Sequence, residues 1–148
     1  MLKIKNYVKA ESLAQAYELN QKKNAIVLGG MVWLKMGNRN IVTAIDLSGL
    51  GLDSITETDE EFVIGCMTPL HAIETHKALN EYTGGAVRES VRHIVGVQFR
   101  NCATVGGSIF WQIRVFRCVD DVSGYGYLGG ALRQRADPAY RVCTYGEG

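Results

Sequence analysis

Between Lys9 and Asn20 the apolar positions Leu13, Ala16, Tyr17 and Leu19 fall on one stripe of a helix. Ser12 followed three residues later by Gln15 has the spacing of a capping box, so the pattern predicts a helix that packs rather than reacts. Ala25-Ile26-Val27-Leu28 is a short run rich in β-branched residues that stops at Gly29-Gly30, as a buried strand running into a tight loop does. Ile41 to Leu47 and Glu61 to Gly65 read as two further strands, separated by Ser48-Gly49-Leu50-Gly51 and a polar stretch. Helical spacing resumes from Pro69, which a first turn tolerates, to Leu79, and a further helix is predicted from Ala86 to Val95. Gln98-Phe99-Arg100-Asn101 then leads to Ala103-Thr104-Val105-Gly106-Gly107-Ser108, a second glycine pair that closes an apolar, β-branched approach and reads as another strand-end loop.

Composition narrows the class. A chain of 148 residues is of single-domain size, and 47% hydrophobic with 21% charged residues is the balance of a globular protein rather than a disordered one. The net charge of +1 argues against an electrostatic nucleic-acid binder. No apolar run approaches the roughly 18 residues of a membrane span, and the stretch MLKIKNYVKAESLAQAY lacks the apolar centre of a secretion signal, so a cytoplasmic protein is expected. Cys66, Cys102, Cys118 and Cys143 stand apart without a Cys-x-x-Cys and are read as reduced, mostly buried thiols. His71 and His76 are five positions apart and so on different faces of a helix, and His93 is distant; no metal site is expected.

Chemistry concentrates at the two glycine pairs. Without a Cβ, backbone N–H groups can approach a phosphate closely, and two such loops suit a cofactor containing a diphosphate. A tight turn and nothing more is the commoner meaning of one glycine pair alone. Gly124-Tyr125-Gly126-Tyr127-Leu128-Gly129 also matches the dinucleotide fingerprint as a string. It has neither the preceding buried strand nor the following helix that give the fingerprint meaning.

The longer wording around the pairs goes further. LGGMVWLKM (Leu28 to Met36), IGCMTPL (Ile64 to Leu70) and QFRNCATVGGSIF (Gln98 to Phe110), in that order, resemble the flavin-binding domain of the molybdenum hydroxylases, the family that includes the medium subunit of bacterial xanthine dehydrogenase. The resemblance covers about residues 1 to 110. It implies an α+β fold: a two-subdomain FAD-binding domain of the PCMH type, with residues 1–53 forming the N-terminal subdomain, residues 54–110 beginning a second, truncated one, and residues 111–148 an atypical tail, out of frame or disordered. It implies FAD as cofactor, with the pyrophosphate gripped through backbone amides at Leu28, Gly29 and Gly30 and at Ala103, Thr104, Gly106, Gly107 and Ser108. Members often carry Thr-Asp after the first glycine pair; here Met31 and Val32 stand in those places and contribute no hydroxyl or carboxylate. Ile64, Gly65 and Thr68 would line the cofactor cavity, although Gly65 could equally be a strand terminus. Trp33 could lie against the cofactor, but a tryptophan between Val32 and Leu34 is more often core, and Ile94 is read the same way.

The function so implied is an FAD-binding oxidoreductase subunit of a molybdopterin-dependent dehydrogenase. Its partners would be a molybdopterin-binding large subunit and a 2Fe-2S small subunit, with NAD as an electron acceptor. No catalytic side chain is assigned, because flavin chemistry depends on the placement of the ring. The alternative is a non-catalytic remnant of that subunit with weak or no flavin binding.

The tail departs from the resembling pattern. All seven lysines precede Trp111, whereas residues 111–148 carry five arginines, four tyrosines and six glycines. In the resembling subunits Gly-Gly-Ser-Ile-Phe is commonly followed by Gly-Arg-Phe-Gly-Phe-Ser-Asp-Val-Leu-Thr, whose aspartate belongs to the flavin site. Back-translating Trp111 to Asp121 and dropping the first T of the Trp111 codon permits GGC-AGA-TTC-GGG-TTT-TCC-GAT-GTG-TTG-ACG, which encodes that string. A displaced reading frame from Trp111 onward is therefore expected.

Overall fold

A computed structural model of the chain describes residues 1–59 and 61–111, with side chains as far as Ile109. The frame of the tail, Cys118, Cys143 and the 124–129 glycine string lie outside the described residues.

Three parallel strands form the first layer: β1 (Lys3–Lys9), β2 (Ala25–Leu28) and β3 (Asn40–Asp46), in the order β1-β3-β2. β3 occupies the centre and is the most buried of the three, with Ile41, Ala44 and Ile45 buried. Between β1 and β2 runs α1 (Leu13–Asn20), whose Ala16 packs with Ala10, Ile45 and Leu47, while Leu28, Ile41 and Ala44 form a second cluster. The helix expected from Lys9 starts four residues later, since Lys9 completes β1. Its cap is as read: Ser12 Oγ accepts from the Gln15 N–H at 3.2 Å, and Gln15 Oε1 accepts from the Glu11 N–H at 2.7 Å.

Beyond residue 54 a two-stranded antiparallel sheet, β4 (Ile55–Glu57) with β5 (Phe62–Ile64), leads into helices. The expected Pro69–Leu79 helix is two helices, α2 (Leu70–Thr75) and α3 (Lys77–Tyr82). At His76 the backbone turns extended (ψ 111), and its imidazole Nδ1 accepts from the Leu79 N–H at 3.2 Å, capping the second. Next come α4 (Ala86–Arg92), shorter than expected because Val95 takes a left-handed φ of 50, then α5 (Val97–Cys102) and α6 (Val105–Trp111). Leu70, Ile73, Leu79, Val87, Val91, Ile94, Ala103 and Val105 form the core of this half, and Val32 reaches it from the loop after β2. Among the described residues no helix is long and apolar enough to cross a membrane. Of the two described cysteines, Cys66 is buried as expected and Cys102 is exposed.

One expectation is corrected here. The second glycine pair does not end a strand; Gly106 and Gly107 sit in the first turn of α6. Thr104 makes this possible, because its Oγ1 accepts from the Gly107 N–H at 3.2 Å and its carbonyl from the Ser108 N–H at 3.0 Å, the arrangement of a helix cap.

Candidate functional site

Buried Leu28 ends β2, and the chain leaves the sheet through Gly29 and Gly30 directly onto the α5–α6 turn. A Cβ on Gly30 would lie 1.4 Å from the carbonyl oxygen of Cys102 and 2.3 Å from its carbon, so only hydrogen fits. A Cβ on Gly29 would lie 3.0 Å from Thr104 Oγ1 and 4.0 Å from Gly107 Cα. The two glycine pairs, distant in sequence, thus meet backbone to backbone. Met31 follows in the left-handed region (φ 58), where a side chain is strained.

Hydrogen bonding distinguishes the two loops. In the second, the N–H groups of Val105 and Gly106 donate to the carbonyls of Thr68 (2.9 Å) and Cys66 (2.8 Å), and those of Gly107 and Ser108 donate to Thr104. Ser108 Oγ also donates to the Thr104 carbonyl at 2.9 Å, and Ala103, by its carbonyl, accepts from the Leu70 N–H at 2.9 Å. In the first, the N–H groups of Gly29, Gly30, Met31 and Val32 have no acceptor among the described residues. Backbone donors open to an anion are therefore a property of the first loop, while the second is a bonded floor against which it lies.

The remaining sequence candidates are placed around this floor. Gly65 is required by packing, since its Cβ would lie 2.1 Å from the Leu52 carbonyl oxygen. Thr68 is wholly buried and its Oγ1 donates to the Ser54 carbonyl at 3.1 Å. Ile64 and Val32 pack on the second core, and Ile94 is a buried member of it. Trp33 is 40% exposed and meets the edge of Phe99 at 5.6 Å between ring centroids, tying the loop after β2 to α5.

Sequence reading missed a buried ion pair beside the turn. The Arg100 guanidinium, only 5% exposed, donates from Nε to Glu74 Oε2 at 2.8 Å, from Nη2 to Oε1 at 3.2 Å, and from Nη1 to the Ile94 carbonyl at 3.1 Å. His71 Nδ1 is 2.9 Å from Glu74 Oε2. Nothing in the spacing of a glutamate and an arginine 26 positions apart signals this contact.

Burial pushes the Glu74 carboxyl upward, but the Arg100 and His71 bonds outweigh it and hold the group below its ordinary value. Its folded pKa thus lies below the unfolded one. The stability it contributes is present above the unfolded value of about 4.3 and is lost as pH falls through the folded pKa. Asp46, lowered by Tyr7 and Ser48 bonds despite burial, acts in the same direction. Replacing Glu74 by Gln removes only its own share, so the melting-temperature gap between wild type and Glu74→Gln should be wide at pH 7 and narrow toward pH 3. A gap unchanged over that range would refute the assignment.

A parallel sheet whose strand end delivers a glycine pair onto a second glycine turn, with open backbone donors between, defines a mixed α/β nucleotide-cofactor domain. More particularly, the sequence matches, over residues 2–139, the family described as FAD binding domain in molybdopterin dehydrogenase. The chain belongs to that family, and FAD is the cofactor the family binds. The fold is similar to a chain of the cyanide-inactivated Cu,Mo-CO dehydrogenase (TM-score 0.65, 29% identity, covering 73% of this chain and 40% of that one). It is similar as well to the reconstituted CO dehydrogenase from Oligotropha carboxidovorans (TM-score 0.62, 27% identity, 72% and 39%). At 18% identity, quinoline 2-oxidoreductase from Pseudomonas putida 86 shares the fold (TM-score 0.62, 70% and 38%). The chain spans about two-fifths of the length of these chains. No curated protein sequence matches it.

Proposed function

We propose that the chain is the FAD-binding portion of a molybdopterin-dependent dehydrogenase of the xanthine dehydrogenase type. It would receive electrons from iron-sulfur centres and pass them to an acceptor such as NAD. A molybdopterin-binding large subunit and a 2Fe-2S small subunit would be its partners, in the cytoplasm. The observation that carries this reading is the contact of Gly29-Gly30 with the Cys102–Gly107 turn, which leaves the N–H groups of Gly29, Gly30, Met31 and Val32 as donors for the pyrophosphate. When bound, the flavin supplies the redox chemistry; the chain's own residues hold and orient it. Leu28 and the strand behind it fix the first loop, while Thr104 and Ser108 hold the second turn in shape. A division near residue 53 between two subdomains belongs to the same reading.

A visible-absorbance titration of the purified chain with FAD is expected to show saturable binding. Absence of saturation up to millimolar FAD would overturn the cofactor reading for this chain.

A displaced frame from Trp111 would give a second reading, a remnant with weak or no flavin binding. The family match runs past Trp111 to residue 139, as an in-frame tail allows, whereas ten consecutive codons permit the shift. The gene decides between them: the shift requires CAG at Gln112 and ATT at Ile113, and any other codon at either position excludes it.

A further inference from the structure

We propose that the Arg100–Glu74 pair positions the second glycine turn, holding the Cys102 carbonyl against Gly30 in the shape that receives the cofactor's diphosphate. The proposal rests on the flavin reading above and adds two residues to its machinery that do not themselves touch the cofactor.

The argument begins with how α2 and α5 are joined. Where α2 begins, backbone bonds tie it to the turn: the Leu70 N–H donates to the Ala103 carbonyl, and the Val105 N–H to the Thr68 carbonyl, each at 2.9 Å. One helical turn further along α2, the Glu74 carboxylate takes both arms of the Arg100 fork at 2.8 and 3.2 Å. Two anchors a turn apart fix the rotation of α5 about its own axis, where one would leave it free. Arg100 lies two residues before Cys102, so that rotation aims the Cys102 carbonyl at Gly30, where a Cβ would be 1.4 Å away.

The third arm extends the same control to the start of α5. Nη1 holds the Ile94 carbonyl at 3.1 Å, next to Val95, a β-branched residue 75% exposed and left-handed at φ 50. A strained residue persists where its surroundings over-determine it, and here the preceding residue is fixed twice, by the buried Ile94 side chain and by the Arg100 bond to the Ile94 carbonyl. Well-packed apolar residues in place of a buried ion pair are often neutral or stabilising, so cohesion alone does not explain the pair. A planar, bidentate fork instead supplies direction, which an apolar contact lacks.

Amide hydrogen exchange of the full chain, read residue by residue, tests this with Glu74→Gln and with Arg100→Lys, which keeps the charge but cannot form the fork. Exchange at Leu70, Val105 and Gly106 should rise about tenfold in either variant while the β3 amides stay within twofold, a local loosening that general destabilisation would not produce. Unchanged exchange at the three amides, or an equal rise in β3, overturns the proposal. The FAD dissociation constant of each variant should rise about tenfold as well; an unchanged constant overturns the proposal even where exchange rises. Should the wild-type chain bind no FAD, the cofactor reading has failed, and exchange alone decides whether the pair positions the turn. If one variant does not fold, the other gives the reading.

Discussion

Gly30→Ala is expected to lower the melting temperature by about 10 °C and to abolish saturable FAD binding. The alanine Cβ would be placed 1.4 Å from the Cys102 carbonyl oxygen and 3.1 Å from the Ala103 nitrogen, and both are backbone atoms that no rotamer change can move aside. Relief requires β2 and the α5–α6 turn to separate. That displaces Val32 and Val105 from the same core and breaks the contact between the two glycine loops. Overpacking against flexible side chains costs about 1–3 kcal/mol, and a clash between backbones belongs at or above the top of that range. For a chain of this size about 3 kcal/mol corresponds to roughly 10 °C. Gly84→Ala is the control for a glycine lost without a clash, since Gly84 has a positive φ (58), which Gly30 has not, and its Cβ would meet nothing within 4 Å. Thermal melts of the two variants side by side would refute the close-approach argument if they fell equally.

The second large effect is expected from Arg100→Ala, at about 2–4 kcal/mol, below the 3–5 kcal/mol of a fully buried broken pair because the Glu74 side chain keeps 13% of its exposure. Truncation removes both arms from the carboxylate and the donor from the Ile94 carbonyl. The carboxylate is then left with His71 alone among the described residues. The loss should be partly recovered in the double variant Arg100→Ala with Glu74→Ala, because no uncompensated charge then stays behind. Denaturant unfolding at pH 7 measures all three chains. A loss in the double variant equal to or greater than the sum of the Arg100→Ala and Glu74→Ala losses would show that the pair does not act as a unit.

Which parts of this structure were legible in the sequence follows from how local their causes are. Ala25–Leu28 was visible as β2 because a β-branched run followed by two glycines carries its own start and stop. The Ser12–Gln15 cap was equally readable, being complete within four residues. β1 was not: five of the seven positions from Lys3 to Lys9 are lysine, asparagine or tyrosine, and six are exposed, so no clean alternation marks the strand. The break at His76 was hidden because apolar residues continue at helical spacing on both sides. The interruption depends on an imidazole that caps the following turn. At the second glycine pair the wording pointed to the wrong element. A threonine cap, visible only once Thr104 is seen bonded to Gly107 and Ser108, starts a helix where a strand end was expected.

The site divides along the same line. Its glycine strings and its family resemblance could be read from residue types, because a loop that must admit a phosphate excludes side chains wherever it occurs. Which loop keeps its amides open, and which side chains hold the other in place, was decided by the tertiary structure. The Val105 and Gly106 amides are used up by carbonyls of Thr68 and Cys66, and Arg100 finds Glu74 across 26 positions of chain. Local conformation is written in neighbouring residues, whereas a hydrogen bond between distant segments exists only after packing has chosen which groups to bury together.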